Sequence, residues 1–169
     1  MVYNTWWHGY NMPLGAVDRL CQLERIVSLK WSTPDGGASY QQGVAHFADR
    51  LAVIDNNGLE VLNHMLGGTG FITHLATVWP EHDVAIFQML REGRFADALA
   101  GFKRVNWPRG AFRGKIWTRS GGESNVVKAA LEIVGRPGGP NRPPTRGLTD
   151  DERTELRQLL RTIGVPGIE

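Results

Sequence analysis

Ile26-Val27-Ser28-Leu29-Lys30 is a short apolar run that stops on a lysine and passes at once into Trp31-Ser32-Thr33-Pro34-Asp35. A β-rich run that turns into a Gly/Pro loop at a lysine puts that amine at the carboxyl end of a strand. In repeating β/α proteins this end carries the chemistry. A lysine half withdrawn from water there can have its pKa lowered, and a neutral amine can attack a ketone to form a Schiff base. The alternative is a strand-end lysine pointing into solvent, and position alone leaves both readings open.

Outward from this stretch, apolar strand-like segments alternate with amphipathic helical ones, the pattern of a parallel sheet with crossover helices. A first strand ends at Val2-Tyr3-Asn4, and a helix is expected over Pro13 to Glu24 with Pro at its first turn. The second strand is Ile26 to Lys30, followed by a helix at Ala38 to Asp49. Leu51-Ala52-Val53-Ile54 is the third strand and ends in Asp55-Asn56-Asn57-Gly58, before a helix over Leu59 to Leu66. Gly67-Gly68-Thr69-Gly70 leads into a fourth strand, Phe71-Ile72-Thr73-His74-Leu75. After Pro80 the pattern is all-helical: Pro80 to Arg91, Phe95 to Val105, Asn125 to Val134, a Pro/Gly-rich connector from Gly135 to Gly147, and a last helix opened by Thr149-Asp150-Asp151-Glu152 and stopped at Gly164. The expected organisation is residues 1–79 as β/α units and residues 80–169 as the last barrel helix with a helical extension, together one structural domain.

Four β/α units are half of a closed (β/α)₈ barrel, which takes about 250 residues. The first strand is short for the about five residues that are usual, so the expected fold is the carboxyl half of such a barrel with a helical tail.

The bulk composition excludes several classes. The 169 residues are 41% hydrophobic, enough for a real core. Lys plus Arg is 19 and Asp plus Glu is 17, a formal balance of +2 that gives no argument for nucleic acid. The pI near 8.9 comes with no basic stripe interleaved with aromatics. The single cysteine, Cys21, excludes an internal disulfide, suits a reducing cytoplasm and is expected to pack in an apolar helical stretch. No charged-then-apolar leader and no run of about 18 apolar residues is seen, so a cytoplasmic chain is expected, with no membrane partner.

The order of motifs resembles the dihydrodipicolinate synthase / N-acetylneuraminate lyase family of Schiff-base lyases. Tyr3-Asn4 resembles the family's Tyr-Asn at the end of the fifth strand, and Val27-Ser28-Leu29-Lys30 the sixth strand with its imine-forming lysine. Gly70-Phe71-Ile72-Thr73 is similar to the eighth-strand Gly-x-Ile-[Ser/Thr]. Val126 to Glu132 resembles the tail helix, and Gly139-Pro140-Asn141-Arg142-Pro143-Pro144 the connector before the last helix.

The resemblance implies a Schiff-base lyase or aldolase acting on pyruvate or a related 2-keto acid together with an aldehyde-type substrate. Lys30 would form the imine, Tyr3 would carry protons, and the Ile72 main-chain carbonyl would line the keto-acid pocket. No cofactor is expected, and a half-barrel with exposed sheet edges is expected to form a homo-oligomer or to pair with an amino-terminal half. The departures are equally concrete. The family's Gly-Thr-Thr-Gly-Glu, which holds the keto acid's carboxylate, is absent, and the usual Tyr-Asn-x-Pro is Tyr3-Asn4-Thr5-Trp6. His8 stands near the arginine that binds the aldehyde substrate's carboxylate in the lysine-biosynthesis enzyme. That synthase activity is therefore not expected. Trp6, Trp7 and Trp31 are expected to form an aromatic wall for a bulkier, less anionic second substrate.

His8 and His74 follow the first and fourth strands and could be substrate donors or ordinary loop histidines. Asn56 could bind substrate hydroxyls, or its segment could form only an Asx turn. His46, His64 and His82 lack partners at metal-ligand spacing, so no metal is expected. Gly67-Gly68-Thr69-Gly70 precedes a strand and is not a phosphate loop. Arg142 and Arg146 are expected to serve structure. A second class of function stays open: a non-catalytic half-barrel whose sheet edges and apolar face serve interaction or oligomerisation.

Overall fold

A computed structural model describes residues 1–120 and 122–168. The chain divides into two compact units, Met1–Thr73 and His74–Glu169.

The first unit is a four-stranded sheet with neighbours in chain order: β1 (Val2–Tyr3), β2 (Ser28–Trp31), β3 (Ala52–Asp55) and β4 (Gly70–Phe71). All three ladders are parallel, with Tyr3 opposite Lys30, Lys30 opposite Ile54, and Ile54 opposite Gly70. Helices α1 (Leu14–Leu20), α2 (Ala38–Phe47) and α3 (Glu60–Met65) make the crossovers. Alternation along each strand divides the residues between two faces. Leu29, Trp31 and Val53 are buried with Val17, Tyr40, Val44 and Phe47, so this face is packed against helices. The other face carries Tyr3, Lys30 and Ile54, all only half-buried.

Several boundaries differ from the sequence reading. The first helix stops at Leu20, and the chain then runs through turns in place of helix to Glu24. The second and third strands both run one residue later than expected, to Trp31 and Asp55. The fourth strand is only Gly70–Phe71, and Leu75 opens a 3₁₀ turn, Leu75–Thr77, in the second unit.

The second unit is helical: α4 (Pro80–Arg91), α5 (Phe95–Ser120), α6 (Ser124–Ile133) and α7 (Asp150–Ile163). Its core joins Val105, Phe112 and Ile116 of α5 to Val126, Ala130 and Ile133 of α6 and Leu156, Leu160 and Ile163 of α7. The long α5 passes through Pro108, where the sequence reading ended a helix at Val105. A proline inside a helix removes one hydrogen bond. Burial of Phe112 and Ile116 beyond it supplies the tertiary packing that carries the helix onward. The α7 start is as the sequence reads: Glu152 N–H donates to Thr149, and Thr149 N–H donates to Glu152. Gly164 closes the helix at φ 89°, a left-handed turn that glycine adopts freely. Among the described residues, no helix is long and apolar enough to cross a membrane.

Candidate active site

Tyr3 and Lys30 are opposite each other across the β1–β2 ladder and lie on the same face of the sheet. The Lys30 amine sits on the face of the Tyr3 ring, 3.8 Å from its centroid. Among the described residues no carboxylate pairs with this amine. The Tyr3 hydroxyl has a different neighbour. Asn56 Nδ2, from the turn after β3, donates to it at 3.0 Å. The phenol oxygen therefore accepts, and its own proton is left free to be given elsewhere.

The backbone around these groups is fixed from below. The Asp55 carboxylate is fully buried and receives the N–H groups of Asn57, Gly58 and Leu59 at 3.0, 3.1 and 3.0 Å. The buried Tyr40 hydroxyl of α2 donates to it at 2.5 Å. Burial pushes the Asp55 carboxyl above its ordinary range, against the pull of these donors, and burial likewise pushes the Tyr40 phenol up. Of the two readings of this segment, the structure shows the turn. Asp55 makes the Asx turn, and Asn56 projects to Tyr3. Asn57 ties the turn to the neighbouring loop, accepting from Thr33 N–H at 3.1 Å and donating to its carbonyl at 3.1 Å.

Asn4 does the same for the first strand. Its amide donates to Asn11 at 2.8 Å and to the Ser32 carbonyl at 2.7 Å, and its oxygen accepts from Met12 N–H at 2.9 Å. The Ser32 hydroxyl returns a bond to the Asn4 carbonyl at 2.8 Å. The strand ends that carry Tyr3 and Lys30 are thereby locked together. Such buried, fully satisfied bonds hold a site's geometry. Asn4 was noted in the sequence only as part of the Tyr3-Asn4 pair, and Tyr40 was not singled out, because a lone Asn or Tyr carries no spacing signal.

Above the sheet, the turn Trp6–His8 adds aromatic surface. Trp7 meets the Tyr3 ring edge-to-face at 5.6 Å and 69°, and Trp6 meets Trp7 at 5.6 Å and 80°. His8 is exposed, its ring 6.0 Å from that of Trp7.

Trp31 requires a correction. It was expected in the aromatic wall, but it is 1% exposed and packs on the helix side of the sheet. Its indole N–H donates to the Tyr40 carbonyl at 3.2 Å, and its ring lies against the bare Cα of Gly43 in α2. The reason is the period of two: Lys30 and Trp31 are neighbours on one strand and face opposite sides.

Ile72 follows the Asp55–Phe71 register pair; its N–H donates to the Asp55 carbonyl at 3.1 Å, and its side chain is 38% exposed. His74 lies in the second unit, where its Nδ1 is 2.6 Å from Glu123. Arg113 reaches the same carboxylate at 2.9 Å. Burial alone would raise the Glu123 carboxyl, but His74 and Arg113 outweigh it and hold it below its ordinary range. A cavity of about 500 Å³ lies in the second unit, lined by Lys128, Glu132 and Arg153 among others. It includes none of the Tyr3–Lys30–Asn56 group, which sits on an open sheet face.

The dihydrodipicolinate synthetase family model matches residues 1–163. The chain belongs to this family. An uncharacterised DapA-like lyase of Halobacterium salinarum is 28% identical over 157 residues, covering 93% of this chain and 49% of that protein. A protein named probable 5-dehydro-4-deoxyglucarate dehydratase, from Bradyrhizobium diazoefficiens, is 29% identical over 98 residues, 58% of this chain and 30% of its own length.

Among solved structures, dihydrodipicolinate synthase from Aquifex aeolicus superposes with a TM-score of 0.78 at 21% identity, covering 99% of this chain and 56% of that one. YagE of E. coli K12, a prophage protein of the same family crystallised with pyruvate, gives a TM-score of 0.79 at 19% identity, covering 96% and 55%. The likeness shows the fold: four parallel β/α units of the family's TIM barrel with its helical carboxyl-terminal part. The chain spans about half the length of the relatives that it matches along most of its sequence.

Proposed function

We propose that this chain carries the imine-forming half of a family lyase active site, with Lys30 as the nucleophile toward pyruvate or a related 2-keto acid. The observation that carries this reading is the pairing of the Lys30 amine with Tyr3, whose hydroxyl is held by Asn56 at 3.0 Å.

The chemistry follows from those contacts. Lys30 Nζ adds to the keto carbon and gives a carbinolamine. Tyr3 donates its free proton to the carbinolamine oxygen, which leaves as water, and the iminium ion forms. The bond from the next carbon to hydrogen or carbon then breaks, and its electron pair enters the iminium to give an enamine. The Tyr3 phenolate recovers a proton from the departing group, a hydroxyl when an aldehyde is released. Asn56 Nδ2 stabilises the phenolate through this cycle by donating to it, an ion-assisted bond stronger than a neutral one. No Gly-Thr-Thr-Gly-Glu stretch lies in these residues, so the reading assigns the grip on the keto acid's carboxylate to a partner half of the barrel. Main-chain groups near Ile72 would line the same pocket, and His8 would contact the second substrate. The reading implies no cofactor, a cytoplasmic enzyme, and an oligomer or paired half-barrel.

The test is incorporation of pyruvate into the whole protein under borohydride. Wild type should gain one reduced adduct, and Lys30→Arg should gain none. Equal incorporation by both would favour the other reading, in which the half-barrel serves only interaction.

A further inference from the structure

Four loops leave the carboxyl ends of the strands, and they carry few charges. Residues 1–17 contain no Asp, Glu, Lys or Arg. In the loop after β2 the one charged residue is Asp35, and it is committed. Thr33, Ser39 and Gly37 N–H donate to it at 2.9, 2.7 and 3.1 Å. In the loop after β3 the carboxylate of Asp55 is buried and fully used. Phe71, Ile72 and Thr73 are uncharged. Lys30 is thus the single Lys or Arg at these strand ends, and His8 the one histidine in the loop after β1.

Aromatic surface takes the place of charge. Trp7 is 43% exposed and Tyr10 61% exposed, while Trp7 also packs edge-to-face on the Tyr3 ring that carries the Lys30 amine. A large exposed indole beside a reactive amine is a surface for an apolar ring. These loops offer no second cation to a carboxylate on the substrate's far end.

We infer that the second substrate of this site is a neutral aromatic or apolar aldehyde, so that the 2-keto acid bound at Lys30 carries an aryl tail seated on Trp7. The inference rests on the imine role of Lys30. In the cleavage direction the bond between the third and fourth carbons breaks, and its electrons pass to the Lys30 iminium as an enamine. The hydroxyl proton on the fourth carbon goes to the Tyr3 oxygen, and the aryl aldehyde leaves.

The test is the concentration dependence of borohydride trapping at Lys30 with pyruvate, 2-oxo-4-phenylbutanoate and 2-oxoglutarate. The phenyl acid should half-saturate trapping at a concentration about tenfold below that for pyruvate, the size of one well-made aromatic contact. 2-Oxoglutarate should need more than pyruvate. The ratio between phenyl acid and pyruvate should collapse toward one in Trp7→Ala and be largely kept in Trp7→Phe. A preference for 2-oxoglutarate, or a ratio unchanged in Trp7→Ala, would overturn the aryl assignment and leave the imine role standing. Absence of any pyruvate adduct at Lys30 would overturn both.

Discussion

The Lys30 amine rests 3.8 Å from the centroid of the Tyr3 ring, while the Tyr3 hydroxyl is engaged by Asn56 and not by the lysine. The ring and the hydroxyl of one residue therefore do separate jobs. In the proposed mechanism the ring would position the nucleophile, and the hydroxyl would transfer protons.

Tyr3→Phe separates them. It keeps the ring under Lys30 and the contact with Trp7, and removes only the oxygen. Imine formation with pyruvate, followed by borohydride quench at timed intervals, should slow by about 10²-fold or more, the low end for loss of a proton-transfer group. The circular dichroism spectrum should not change.

Asn56→Ala removes the donor to the Tyr3 oxygen. A hydrogen bond to a charged group contributes about 1.5–3 kcal/mol, so exchange of the pyruvate methyl protons for deuterium should slow by about 10- to 100-fold. Asn56→Asp, which has no N–H to offer when ionised, should slow it at least as much. If Asn56 acted only in the turn, both variants would leave the exchange rate near wild type, because Asp55 supplies the turn's hydrogen bonds.

Trp31 is a stability residue, and its variants should show it. Trp31→Ala empties a fully buried site and should cost about 3–5 kcal/mol in urea unfolding. Gly43→Ala would place a Cβ 2.4 Å from the indole, so it should cost about 1–3 kcal/mol through overpacking. Neither variant should change the ratio of phenyl acid to pyruvate trapping.

Acid should loosen the second unit through Glu152. Arg146 bonds its carboxylate at 3.1 and 3.2 Å, Thr149 N–H and Arg119 add to this, and its pKa is held at about 2. A carboxyl depressed in the folded state stabilises the fold above its unfolded value and loses that contribution as pH falls through the folded one. Thermal melts should therefore weaken between about pH 4.5 and 2, and Glu152→Gln should flatten that part of the profile. A slope unaltered in Glu152→Gln would refute the assignment.

What the sequence revealed, and what it hid, has a physical basis. The strand that carries Lys30 was legible because β-branched residues, a lysine and a Pro/Gly loop follow in order. The α7 start was legible because Thr149 and Glu152 form a capping box through local bonds alone. Trp31 was misplaced because the whole Trp set was read as one wall, although the alternation beside Lys30 already assigned it to the other face. The extent of α5 past Pro108 was hidden because Phe112 and Ile116 draw their support from α6 and α7, which lie far along the chain. The Asn56–Tyr3 bond joins residues 53 positions apart and leaves no local trace.

Peptide mass analysis after borohydride reduction with pyruvate reads out whether Lys30 forms the imine. The reduced pyruvyl adduct should lie on the peptide containing Lys30, with Lys103, Lys115 and Lys128 at background. An even spread over all the lysines, or none on Lys30, would contradict it.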